Sequence, residues 1–328
     1  MNIKKLLALL IALVMCFLFV ACKNNDSDDS SNYKKSSTSS RDELQKSSGP
    51  LLYRVTDDDG DIVWLFGSIH VGREEFYPLP DYVLDAFDNS DALAVECDVK
   101  KFEEDFTRQY KVLSKLVYSD RTTIKDHVSD ELYESSVAVF KELGLYNSAF
   151  DYYIPIFWSQ AIESALLEMY GANTKLGIDL HLMDRASESD KEILEIESVE
   201  FQYQMLADFS EELQILLLQQ TIESYNSDQE LETELNDMMD LWASGDEKAF
   251  AEYLTDDTSE LTGEELELYN EYNDAMIVNR NNNMADFAED ALDSGDEVFI
   301  CVGAAHVIGD GGMADLLEER GYNVEIVR

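Results

Sequence analysis

Two stretches near opposite ends of the chain share one pattern of apolar and polar positions. Ile62–Phe66 is a run of apolar, β-branched and aromatic residues that closes in Gly67-x-x-His70-Val71, and Val298–Val302 closes in Gly303-x-x-His306-Val307. Runs of this length and composition predict strands buried on both faces. Side chains just past the carboxyl ends of such strands face the crevice where open α/β sheets bind ligands. Further strands are expected at Leu51–Val55, joined to Ile62–Phe66 by the turn residues Asp57–Asp61, at Ala92–Val95, ending at Glu96, at Lys191–Ile196, ending near Glu197, and at Val324–Val327.

Helical spacing fills most of the remainder. Asp81–Phe87 follows a Pro-Leu-Pro break, Phe102–Tyr118 reads as one helix, Asp130 leads another, and a fourth runs through Trp158 towards Gly171. Leu176–Ala186 reads as a helix, and Glu197 begins one that runs on towards Thr221. Residues 210–273 are acidic and helical in pattern, and Arg280-Asn281-Asn282-Asn283 begins or caps the helix that precedes Val298. The pattern predicts an α/β fold: a central mixed, largely parallel sheet flanked by helices, with a large helical insertion, in one continuous domain over residues 51–328.

The first fifty residues have a different character. Lys4 and Lys5 precede the apolar run Leu6–Val20, and Ala21-Cys22 is followed abruptly by Ser, Asp, Asn and Lys. This is a processing signal over residues 1–21, followed by a flexible tether over 22–50 with almost nothing to bury. Phe19-Val20-Ala21-Cys22 resembles a bacterial lipobox, which implies lipidation of Cys22 and a domain anchored to the cell membrane on its extracytoplasmic face. The formal net charge of the chain is −45, and removing residues 1–21, which hold two lysines and no acid, makes it more negative still. Such acidity argues against nucleic acid as a partner and against general attraction to an anionic bilayer, while leaving room for a local basic pocket.

The candidate chemistry gathers at the strand exits. His70 and His306 repeat one grammar 236 positions apart, and Glu96 and Glu197 are carboxylates placed just past strands. A single histidine in such a place is most often a core or capping residue; the repetition turns attention to a shared site. Cys97 and Cys301, both expected in strands, are compatible with a disulfide or with buried thiols. Gly309-Asp310-Gly311-Gly312 lacks the Walker lysine and the dinucleotide spacing, so a nucleotide site is not expected.

The paired Gly-x-x-His motifs, Glu96, the Leu176-Gly177-Ile178-Asp179 turn, Glu197-x-x-Glu200-x-Gln202 and the closing Val302-Gly-Ala-Ala-His306-x-x-Gly309-x-x-Gly312 together resemble the TraB/GumN family, which includes the Tiki metalloproteases. The resemblance implies a fold shared with erythromycin esterase-like and ChaN-like proteins. It also implies a divalent-metal-dependent peptidase in which His70, His306 and Glu96 are catalytic, with Arg280 and Asn281 as a further polar pair of the site. Two imidazoles and a carboxylate suit Mn, Co or Zn, with Glu197 as a fourth candidate ligand. Two other readings stand beside this one. One is a metal-free esterase in which His306 or His70 is the general base and Glu96 orients it; the other is a ligand-binding or regulatory lipoprotein without turnover. The substrate, a peptide or small molecule, is not specified by the sequence.

Overall fold

The computed structural model describes residues 49–170, 172–226 and 228–328. The expected signal, Cys22 and nearly all of the tether lie outside these residues. Only the tether's last two positions are described, and Gly49 and Pro50 are already buried, with Tyr82 Oη donating to the Pro50 carbonyl at 2.6 Å. No described helix is long and apolar enough to cross a membrane.

Strands β1 (Leu52–Thr56) and β2 (Ile62–Ser68) form the expected hairpin, in the register Leu52↔Phe66. Its turn is organised by Asp57, whose Oδ1 accepts the backbone N–H groups of Asp59, Gly60 and Asp61. Helix α1 (Asp81–Asn89) leads to β3 (Ala92–Val95). Then follow α2 (Val99–Glu104), α3 (Phe106–Lys115), α4 (Asp130–Glu142), α5 (Pro155–Met169) and α6 (Ile178–Glu188) before β4 (Glu192–Glu195). The long insertion continues through α7 (Val199–Ala207), α8 (Glu211–Tyr225), α9 (Asp228–Ser244), α10 (Glu247–Leu254) and α11 (Glu264–Asn273). A π-helical turn, Asp274–Val278, joins α11 to α12 (Asn279–Ser294), and the chain ends with β5 (Val298–Gly303), the short α13 (Ala304–Val307), α14 (Met313–Glu319) and β6 (Asn323–Val327).

The six strands form one sheet in the order β4-β3-β5-β2-β1-β6. Strands β4, β3, β5 and β2 are parallel, and β1 runs against both β2 and β6, so the sheet is mixed and largely parallel, as expected. Every residue of β5 and of β3 is buried, which matches the continuous apolar runs that parallel strands covered on both faces require.

Three expected elements differ. The helix read over Phe102–Tyr118 is two, because Asp105 stops α2 and caps α3, its carboxylate accepting from the N–H groups of Thr107 and Arg108. The helix read from Glu197 to Thr221 is likewise two, divided where Ser210 caps α8. Arg280 and Asn281 lie in the first turn of α12, as expected, but that helix is not free-standing: it continues through the π turn from α11, one helical stretch from Glu264 to Ser294.

Candidate functional site

Because β2, β3, β4 and β5 are parallel, their carboxyl ends open on one side, and the residues that follow them meet there. Their approach depends on glycines at two places. A Cβ at Gly67 would lie 2.9 Å from Ala304 Cα, so glycine lets the turn bearing His306 pack against β2. A Cβ at Gly72 would lie 1.9 Å from the Leu176 carbonyl oxygen, so glycine there lets the segment after His70 lie against the turn that presents Asp179. Trp242 of α9 fixes the β2 exit from outside, its Nε1–H donating to the Gly67 carbonyl at 2.8 Å.

The two histidines are held alike. His70 Nδ1 is 3.0 Å from Asp179 Oδ2, and His306 Nδ1 is 2.7 Å from Asn281 Oδ1. Asn281 can be oriented from its other contact, since its Nδ2 donates to the Gly311 carbonyl at 2.8 Å and the oxygen therefore faces the imidazole. Both Nδ1 atoms are thus donors, and the neutral rings carry their lone pairs on Nε2. Both Nε2 atoms are buried and have no hydrogen-bond partner. Asp179 Oδ1 is also buried without a partner. Unsatisfied buried polar groups are rare in folded proteins, and their concentration at one end of the sheet marks it.

The carboxylates are organised by Arg280, which is 1% exposed. Its Nη2 donates to Glu96 Oε2 at 2.6 Å and to Glu197 Oε2 at 2.9 Å, and its Nε donates to Glu197 Oε1 at 2.9 Å. Gln202 Nε2 bridges the same two carboxylates at 3.1 and 3.0 Å, and the Gly303 N–H donates to Glu96 Oε1 at 2.7 Å. Burial alone would raise the Glu96 carboxyl, but Arg280, then His306 and His70, outweigh it and bring it down to about 2. Burial also lowers His70, yet the Asp179 carboxylate prevails and lifts that imidazole to about 9; burial and then Arg280 push His306 down to about 3. With both imidazoles neutral, three carboxylates (Glu96, Glu197, Asp179) face one guanidinium, a formal excess of two negative charges. Left to its own residues the cluster offsets part of this by protonating His70, which leaves an Nε2–H buried with no acceptor.

The structure therefore brings together all six residues nominated by the sequence for the site: His70, Glu96, Glu197, Arg280, Asn281 and His306. It does not assemble them as a four-ligand metal set. Among the described residues no three His, Cys, Asp or Glu side chains converge as metal ligands. Glu96 and Glu197 are instead engaged by Arg280 and Gln202, which leaves the two Nε2 atoms as the free donors. These fit a divalent ion: imidazole ligands commonly donate the second ring nitrogen to a carboxylate or carbonyl, as these do to Asp179 and Asn281, and the excess negative charge matches the ion.

Asp179, though part of a recognisable turn, had no role assigned from sequence; a carboxylate directly after Leu-Gly-Ile at a helix start was the signal available. Cys97 lies just beyond β3 rather than within it, with its Sγ 3.8 Å from Gln202 Oε1, and Cys97 and Cys301 are separate thiols, both pushed well up by burial. His127 has its own partners: its Nδ1 is 2.8 Å from Glu211, its Nε2 is 2.6 Å from Thr122 Oγ1, and its ring stacks on Tyr118.

Comparison with known proteins agrees with the closing motif. The model of the TraB/PrgY/gumN family matches residues 51–326. The uncharacterized protein YbaP of Escherichia coli strain K12 is 26% identical over 255 residues, which cover 77% of this chain and 86% of that protein, and YbaP of Shigella flexneri matches to the same extent. No solved structure matches the chain.

Proposed function

The chain belongs to the TraB/PrgY/gumN family, and from that premise we propose that it is a divalent-metal-dependent hydrolase of the peptidase type, built on the erythromycin esterase-like architecture. The single observation that carries this reading is the pair of buried, unpartnered Nε2 atoms on His70 and His306, each with its Nδ1 fixed by a neighbour. His70 and His306 would hold the ion, and Mn, Co or Zn in such a setting supplies the Lewis acidity that makes water a nucleophile near neutral pH. With only two protein nitrogens as donors, an ion held there would keep positions open for water and substrate, as in catalytic rather than structural sites.

The remaining residues prepare that chemistry. Asp179 and Asn281 select the tautomers and fix the ring orientations. Glu96 and Glu197 supply the negative field that attracts a cation, while Arg280 and Gln202 keep both carboxylates from swinging onto it. Glu96, held ionised down to about pH 2, is a weak base, so its part is electrostatic rather than proton transfer. By the same reading the protein is anchored through a lipid on Cys22 and faces the extracytoplasmic side, a position supported by the apolar run and Ala-Cys junction of the sequence.

The test is metal content by mass spectrometry on the purified full chain, with hydrolysis of a fluorogenic peptide library after chelation and after return of Mn, Co or Zn. One ion per chain is expected, lost in both His70→Ala and His306→Ala together with hydrolysis. Retention of the ion by both folded variants would remove the basis of the proposal. A second reading, metal-free ester hydrolysis, draws on the opposite displacement of the two imidazoles, since groups pushed apart in this way can act as acid and base. It requires hydrolysis of simple esters that chelation leaves intact.

A further inference from the structure

From Phe106 to Ser119 the chain has no acidic residue, the longest such run beyond its first 25 residues, in a protein of net charge −45. Helix α3 occupies most of this run. Val112 turns inward, and Arg108 is engaged by Glu200 of α7 through two hydrogen bonds of 2.6 and 2.7 Å. The outer face is unlike the rest of the surface. Phe106 is 81% exposed and Tyr110 is 74% exposed, the two most exposed large hydrophobic side chains among the described residues. They are four residues apart and share one stripe of the helix. Lys111 and Lys115 are exposed on the adjoining stripe, and Lys111 lies near enough to Glu200 to help Arg108 hold that carboxyl down. On the neighbouring α7, Phe201 is 43% exposed.

We propose that this face of α3 docks on a bilayer containing anionic lipid. Aromatic side chains on one stripe of a surface helix bury in the boundary between headgroups and acyl chains, and lysines beside them extend to the phosphates. The acidity of the rest of the chain then sets the orientation. Acidic surfaces are repelled from an anionic bilayer, whereas residues 106–119, with Arg108, Lys111 and Lys115 and no acid, carry a local positive charge, bounded by Glu103, Glu104 and Asp105 before α3 and by Glu200 on α7. Since α2 and α3 directly follow Glu96, docking here holds the carboxyl ends of the sheet strands close to the membrane plane. The inference rests on the α3 surface and not on the chemistry of the histidine site.

The test is hydroxyl-radical footprinting of the full chain in nanodiscs, read by mass spectrometry at Phe106 and Tyr110, with Tyr152, 53% exposed, as reference. Moving from pure phosphatidylcholine to equal parts phosphatidylcholine and phosphatidylglycerol should slow oxidation of Phe106 and Tyr110 by about five-fold, leave Tyr152 unchanged, and weaken in high salt. The exposed double variant Lys111→Glu/Lys115→Glu should lose this protection while keeping its circular dichroism spectrum. Equal oxidation on the two membranes would overturn the proposal. So would protection that appears with soluble polyphosphate alone, or that rises with protein concentration without lipid, since those results assign the face to a soluble polyanion or to a second copy of the chain.

Discussion

Replacing Glu163 by glutamine should stabilise the protein at neutral pH and remove much of its loss of stability between acid and mildly alkaline conditions. Glu163 lies on α5, 3% exposed, against α8. Gln160 Nε2 donates to its Oε2 at 2.9 Å, and Thr221 Oγ1 lies 3.0 Å from its Oε1 and 2.9 Å from the Leu217 carbonyl. The single Thr221 proton can serve only one of these acceptors, and no cation pairs with the carboxyl among the described contacts. Burial pushes its pKa up to about 8 against the small opposing effect of Thr221. The sign follows from proton binding: between 4.5 and 8 the folded chain keeps a proton that the unfolded chain releases. The associated stability is complete below about pH 4.5, is lost as pH rises, and is gone above about 8. At roughly 1.4 kcal/mol per pH unit, the loss between pH 4.5 and pH 7 comes to about 3 kcal/mol. Glu163→Gln keeps the geometry, its amide oxygen accepting from Gln160 and its amide NH2 donating to Thr221. Urea unfolding of both proteins at pH 4.5, 6, 7 and 8 measures the difference. A gain of about 3 kcal/mol at pH 7, shrinking towards nothing at pH 4.5, is expected. Parallel curves for the two proteins, or a variant less stable at pH 7, would refute the reasoning.

Arg280→Met should cost about 3–5 kcal/mol, because it strands Glu96 and Glu197 as buried uncompensated charges, and adding Glu96→Gln and Glu197→Gln should recover most of this in the same unfolding assay. In protein stripped of metal, the His70 imidazole should titrate near 9 by NMR and fall in Asp179→Asn; stability from the His70–Asp179 pair is complete below about pH 6.5 and lost as pH rises through 9. Gly72→Ala should destabilise by at least about 2 kcal/mol, since the new methyl would meet a backbone oxygen, whereas the solvent-facing Gly144→Ala should show only the smaller cost of its positive φ in thermal unfolding.

The sequence was most legible where burial is complete. Ile62–Phe66, Ala92–Val95 and Val298–Val302 carry no polar residue, so their strands, and the parallel sheet that must bury them, could be read directly, and with them the meeting of His70, Glu96 and His306. Helix boundaries inside the insertion were less legible: Asp105 and Ser210 lie within periodic apolar patterns, and only the hydrogen bonds to the N–H groups that follow turn them into caps. The partnership of Arg280 with Glu96 and Glu197 joins segments 184 and 83 positions apart, and no local periodicity encodes such a pairing. The π turn at Asp274–Val278 was equally hidden, because a single turn with one extra residue is too short to show in the apolar periodicity on either side of it.

The place of β5 in the sheet bears on when the protein becomes competent. It begins about 200 residues after β3 ends, yet it lies between β2 and β3, whose strands are complete by Val95. A ribosome therefore releases most of the chain before the two earlier strands have the neighbour that joins them, and His306 arrives only with that neighbour. A chain ended before β5 has His70 and Glu96 but lacks His306, so the cluster is assembled only once β5 and the turn after it have been made.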